Sequence, residues 1–197
     1  MADPETGLTG RQLEQMARNV LPGAWIIETD KPVATLLGSC VAVCLYDPGL
    51  KIGGMNHFML PEMTKRDNAD TDMTLSGNYA MEALLNAMLT KGAKKARLTA
   101  KAFGGGAIIK GLSVGIGIGE RNVKFAREWL AREMIPIAAS DFLGPWSRKV
   151  VFDPKTGDAF CRRMSREDST VDRIASQEAA YQKSLLTKPK KADIELF

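Results

Sequence analysis

A single histidine serves the whole chain of 197 residues, and it stands at position 57, shortly after two of the three cysteines, Cys40 and Cys44. A thiol beside an imidazole is the smallest apparatus for nucleophilic attack on a carbonyl: the thiolate attacks, and the ring lowers the thiol's pKa and carries protons. The sequence between the two residues can bring them together. Asp47-Pro48-Gly49-Leu50 is a turn signal between apolar runs, and a hairpin centred on Pro48-Gly49 pairs positions whose numbers sum to 97, setting Cys40 opposite His57. Opposed side chains on antiparallel strands have Cβ atoms about 4.5–5.5 Å apart. Pro-Gly favours a type II turn, which suits a two-residue hairpin poorly, so a longer symmetric loop or a bulge is expected, with a register slip of one. Gly38 and Ser39 leave the backbone open around a solvent-reachable sulfur, with N–H groups available to a developing oxyanion.

Two other readings compete for the same residues. Cysteine is among the most buried residue types and an isolated histidine is often a satisfied core residue; Cys44 and Cys161 read as packing. Cys40, Cys44, His57 and Cys161 also have the composition of a Cys₃His zinc site. On an extended strand, however, Cys40 and Cys44 stand roughly 13 Å apart, whereas zinc draws each sulfur to about 2.3 Å. Val41, Val43 and Tyr46 favour the strand.

The elements that must position this pair follow from periodicity. An arm, residues 1–22, carries one amphipathic helical piece, GRQLEQMARNVL, halted at Pro22-Gly23. AWIIET reads as a strand, and a hairpin-like segment runs from Leu36 to Leu60. In TLSGNYAMEALLNAMLTKGAKK, residues Leu84, Leu85, Met88 and Leu89 share a helical face, with Gly92 as a left-handed C-cap. ARLTAKAF alternates as a half-buried strand, and NVKFAREWLAREMI places Val123, Ala126, Leu130 and Met134 in one helical stripe before Pro136. The glycines of FGGGAIIKGLSVGIGIGERN fit neither dinucleotide-binding nor P-loop spacing and read as a flexible loop leading to a helix. RKVVFDPKTGDAFCRRM is a second hairpin. Residues 23–164 thus form an α/β layered sandwich with largely antiparallel, mixed sheet pairing. Residues 165–197 read as an appendage, a helix with Val171, Ile174, Ala175 and Ala179 on its docking face and then a disordered end, not needed for chemistry.

A formal charge of +4 with acids and bases interspersed indicates neither a nucleic-acid stripe nor a polybasic membrane anchor. The longest uncharged apolar stretch, Val33 to Tyr46, is too short to span a bilayer, and an acidic start is unlike a secretory signal. An odd number of cysteines in a chain of this size fits a reducing, cytoplasmic compartment.

LLGSCVAVCLYDP, GGMNHFMLP, AFGGGA with IGERN, and VVFDPKTGDAF, in this order between residues 23 and 164, resemble the CheD family of chemoreceptor glutamine deamidases. That resemblance implies a sandwich related to the cytotoxic necrotizing factor deamidase toxins and a Cys-His pair at Cys40 and His57. It also implies hydrolysis of glutamine side-chain amides on the cytoplasmic helices of methyl-accepting chemotaxis receptors, without metal or organic cofactor, and the phosphatase CheC as a further partner. A threonine six residues before the cysteine completes the family's triad; Ala34 holds that position here, and its neighbour Thr35 is the candidate. The arm and the tail fall outside the resemblance. A non-catalytic chemotaxis module that docks on receptors or on CheC is the main rival, and a cysteine protease or acyltransferase shares the dyad.

Overall fold

The computed structural model describes residues 9–60, 70–107, 117–164 and 170–187. Its elements in chain order are α1 (Gly10–Met16), β1 (Arg18–Asn19), β2 (Trp25–Glu28), β3 (Val33–Leu37), β4 (Val41–Asp47), β5 (Ile52–Phe58), α2 (Asp70–Thr90), β6 (Thr99–Gly104), α3 (Ile118–Arg132), β7 (Ile137–Phe142), β8 (Ser147–Phe152), β9 (Ala159–Met164) and α4 (Thr170–Thr187). Strands β4 and β5 carry apolar or small residues at nearly every position, the pattern of strands covered on both faces. They sit inside a five-stranded sheet ordered β2-β5-β4-β6-β7, while β1-β3-β8-β9 form a second sheet of four. Pairing is antiparallel except for β1 with β3 and β6 with β7.

The two sheets face each other across a core to which β3 and β8 give Val33, Leu37, Val150 and Phe152, and β4 and β5 give Ala42, Cys44 and Met55. On its other side the five-stranded sheet is covered by Leu84 and Met88 of α2 and by Ala126, Trp129 and Leu130 of α3. Leu13 of α1 packs with Ala34 and Val151 of the four-stranded sheet. The layered, mixed α/β architecture read from the sequence is the one observed.

Several local expectations change. The β4–β5 ladder pairs Ala42 with His57 and Asp47 with Ile52, so paired numbers sum to 99 rather than 97. Asp47 causes the longer turn: its carboxylate accepts from the Gly49 N–H at 2.8 Å and the Lys94 N–H at 2.9 Å and is gripped twice by Arg97, while Lys51 takes a left-handed φ of 50°. β3 is not part of that hairpin; it pairs with β8 in the opposite sheet. α1 ends at Met16, well before Pro22-Gly23, because the chain then runs as β1 beside β3. Leu89 lies past the rim of the buried face of α2, and Met134, beyond the end of α3 with φ 57°, swings its side chain out to 84% exposure. Gly92 takes the expected left-handed conformation. Much of the glycine-containing loop (108–116), the stretch 165–169 and the expected disordered end (188–197) lie outside the described residues.

Candidate active site at the joint between the sheets

β3 and β4 are consecutive in sequence but belong to different sheets, so Gly38, Ser39 and Cys40 form the joint that carries the chain across. The carbonyl of each joint residue is tied down. Gly106 N–H donates to Gly38 O at 2.7 Å, Asn122 Nδ2 to Ser39 O at 2.9 Å, and Gly105 N–H to Cys40 O at 2.8 Å. The three glycines make this possible: a Cβ on Gly104, which has φ 123°, would stand 2.1 Å from Cys40 O, and one on Gly106 would stand 2.3 Å from Trp146 O. The glycine run is therefore a backbone-to-backbone seam behind the joint. Asn122, from the GERN string that opens α3, is wholly buried and fixes the seam to β5's exit by accepting from the Leu60 N–H at 2.8 Å.

With the carbonyls fastened behind, the three joint N–H groups converge in front. Gly38 and Cys40 donate to Glu178 Oε1 at 2.8 and 3.0 Å, and Ser39 donates to Oε2 from its N–H at 2.9 Å and its hydroxyl at 2.8 Å. Such a run of convergent amides is an anion-binding nest. Glu178, on α4, is 3% exposed.

His57 reaches the same place from β5. It stands opposite Ala42, and side chains alternate along a strand, so its ring shares the inter-sheet face with Ala42 and with Cys40 two residues earlier. Its Nδ1 lies 2.8 Å from Thr35 Oγ1, and Thr35 Oγ1 donates to Val20 O at 2.7 Å. The hydroxyl has one proton, directed at Val20, so its oxygen accepts from Nδ1–H; this hydrogen-bond network assigns the proton to Nδ1 and leaves Nε2 with a lone pair. Nε2 is buried and has no hydrogen-bond partner among the described residues. The donor atoms of Cys40, His57 and Glu178 lie within 4.8 Å of one another.

Three of the expected site residues, Cys40, His57 and Thr35, thus come together, although the register that predicted it is off by two. One feature of the expectation fails: Cys40 is wholly buried, not solvent-reachable, because α4 lies over it. Burial raises the Cys40 thiol well above its ordinary value, and the charge of Glu178 and its hydrogen bond add to the rise. Burial lowers the His57 imidazole, partly offset by Glu178. In this closed arrangement the pair is a neutral thiol and a neutral imidazole. Asn56, the neighbour of His57 on β5, turns to the α2 side, accepting from Val43 N–H at 2.9 Å and donating to Ala80 O at 3.1 Å.

Cys44 packs in the inter-sheet core and Cys161 lies beside Asp141, so neither joins Cys40 and His57 as the zinc reading required. Glu178 supplies a third donor instead, but both its oxygens are engaged by the nest, whose N–H groups set a field for an anion. Sequence reading missed Glu178 and Asn122. Glu178 had a visible signal: Ile174, Glu178 and Tyr181 fall at i, i+4 and i+7, placing a carboxylate in the middle of the buried stripe of α4, whereas the expected stripe member Ala179 is exposed.

The family model and the curated relatives point to one family. The family described as CheD chemotactic sensory transduction matches residues 59–163. The chain is 58% identical over 192 residues to a probable chemoreceptor glutamine deamidase CheD 2 of Dechloromonas aromatica, covering 96% of this chain and 98% of the relative. Proteins of the same description from Burkholderia thailandensis and, as CheD 1, from Shewanella oneidensis are 43% and 42% identical, each across 95% of this chain and 96% and 90% of their own lengths. A solved structure of the hypothetical protein YfiH of Bacillus licheniformis overlaps 61% of this chain and 51% of its own at 13% identity and a TM-score of 0.41, too low to define the fold. The family match begins only at Met59, downstream of Cys40 and His57, but the relatives' alignments run nearly end to end, and on that breadth the chain belongs to the CheD family.

Proposed function

We propose that the protein is a protein-glutamine deamidase that converts glutamines on the cytoplasmic helices of chemotaxis receptors to glutamate. The observation that carries this reading is the convergence of Cys40, a base with a bare Nε2, and three fastened N–H groups at the joint between the sheets. The relatives' names supply the substrate class. Among the described residues no helix is long and apolar enough to cross a membrane, and a reaction on receptor cytoplasmic helices would run in the cytoplasm.

Thr35 holds Nδ1–H, so His57 takes the Cys40 proton at Nε2 and the thiolate attacks the carboxamide carbon. The oxygen becomes an oxyanion held by the N–H groups of the joint, a contribution of about 2.7–4 kcal/mol per donor where such donors have been removed elsewhere. Collapse expels ammonia, which leaves with the proton from His57, and a thioester remains. Water, losing a proton to Nε2, cleaves the thioester and releases glutamate and the thiol. No step calls for a metal. Incubating the protein with a receptor cytoplasmic fragment and mapping Gln-to-Glu conversion by peptide mass tests this reading: conversion that disappears in Cys40→Ala is expected, and conversion that persists in a folded Cys40→Ala protein would refute the nucleophile.

A further inference from the structure

Among the described residues the buried carboxylate of Glu178 has no basic side chain as hydrogen-bond partner; its four hydrogen bonds come from the joint, three of them from main-chain N–H groups. Under the reaction proposed above, those are the groups that meet the substrate's side-chain oxygen, and a glutamate carboxylate lying in them is what the site holds at the end of a turnover. Glu178 is moreover carried on a helix, the form in which receptor segments would present their glutamines. The carboxylate fits better than a carboxamide would. Each of its oxygens accepts two hydrogen bonds, whereas the NH₂ of a glutamine would meet the Ser39 N–H donor to donor.

We propose that α4 is a built-in product mimic: Glu178 occupies the substrate's side-chain pocket, keeps Cys40 covered, and must withdraw before a receptor helix can enter. This rests on the reading of Cys40 as nucleophile and adds a regulatory layer to it. α4 has apolar anchors as well. Ile174 is buried, and the ring of Tyr181 lies against Gly23, where a Cβ would come within 2.6 Å of it. Withdrawal of the helix gives up the hydrogen bonds of Glu178 together with the packing of Ile174 and Tyr181, and because α4 is a strand of neither sheet it does not require opening one. It also removes a negative charge that opposes formation of the Cys40 thiolate. An open fraction f scales both thiol access and substrate turnover by f, so any change that raises f raises both in step.

The test uses the full chain and two variants, Glu178→Ala and Glu178→Gln, with folding checked by circular dichroism and melting. Iodoacetamide labelling of Cys40, resolved from Cys44 and Cys161 by peptide mass, is expected to speed up roughly tenfold or more in Glu178→Ala, with turnover of the receptor fragment rising alongside. Glu178→Gln preserves shape should the alanine variant fold poorly, and is expected to label faster than wild type as well. In that variant the pocket holds a substrate carboxamide, and conversion of the introduced glutamine back to glutamate, dependent on Cys40, supports the proposal independently. Labelling within twofold of wild type in both folded variants overturns it. That failure is distinct from failure of the reading beneath it: no receptor conversion by wild type or either variant would refute the deamidase, and conversion persisting after Cys40→Ala would refute the nucleophile.

Discussion

Thr35→Val isolates the orienting of the imidazole from everything else in the site. Valine keeps the shape of threonine and removes the oxygen that receives Nδ1–H and donates to Val20 O. Thr35 is only 2% exposed, so water cannot readily replace the oxygen. A buried N–H without an acceptor costs about 1–3 kcal/mol. The ring can avoid that cost by moving its proton to Nε2, which blocks the atom that acts as base in the proposed mechanism. At about 1.36 kcal/mol per tenfold, the working tautomer is depleted roughly 5- to 150-fold. The expected result is a fall in kcat of that size with KM nearly unchanged, since Thr35 contacts the imidazole and not the substrate, while Thr35→Ser restores most of the rate. Initial rates of Gln-to-Glu conversion in a receptor fragment, followed by mass at several substrate concentrations, supply both constants. A folded Thr35→Val protein with kcat within twofold of wild type, or with a defect confined to KM, would refute the reasoning.

Gly104→Ala should abolish turnover and destabilise the fold by several kcal/mol, as its Cβ would collide with Cys40 O from a backbone conformation that only glycine adopts easily; melting temperature and Cys40 labelling check it. Asn122→Ala frees the Ser39 carbonyl and the Leu60 N–H, for an expected loss of about 1–3 kcal/mol in urea unfolding and a lower kcat from a looser joint. His57 has its pKa lowered from 6.5 to about 4, so the unfolded chain binds the extra proton first and stability is lost as pH falls from about 6.5 to 4, by up to about 3 kcal/mol; His57→Asn should flatten that part of the curve. Asp47, its carboxyl held well below the usual range by Arg97, contributes stability present above pH 4 and lost at more acid pH, a slope that Asp47→Asn should remove in acid titrations followed by circular dichroism.

The sandwich was legible because its strands and helices announce themselves locally: β-branched runs, turn residues at Asp47-Pro48 and Asp153-Pro154, and the 3.6-residue stripes of α2 and α3. The Cys40–His57 pairing was legible too, since a slip of two along a hairpin keeps every side chain on its face. What local patterns do not carry is which sheet a strand joins. β3 runs directly into β4, and nothing in Leu36–Leu37–Gly38 says that the chain changes layers there. The meaning of the glycine run depended on that crossing, because Gly104–Gly106 are required by what lies against them as well as by the positive φ of Gly104 and Gly105. The stripe of α4 marks Glu178 in the sequence but gives it no role, since a carboxylate in a polar tail normally faces water; the nest, 138 residues upstream at Cys40, explains its burial.

Thr35 and His57 come from opposite sheets, so the hydrogen bond between them gauges the distance separating the two layers. That distance is set partly by the ring of Phe152, which lies in the space left by the missing side chain of Gly53, within 2.5 Å of where its Cβ would be. A hydrogen bond loses its grip over a few tenths of an ångström, whereas a packed interior can absorb such a shift at modest cost. The reaction is thus held to a tighter tolerance than the fold. Core substitutions far from Cys40 that let the layers slide should silence the imidazole before they melt the protein, making catalytic failure the earliest symptom of interior wear.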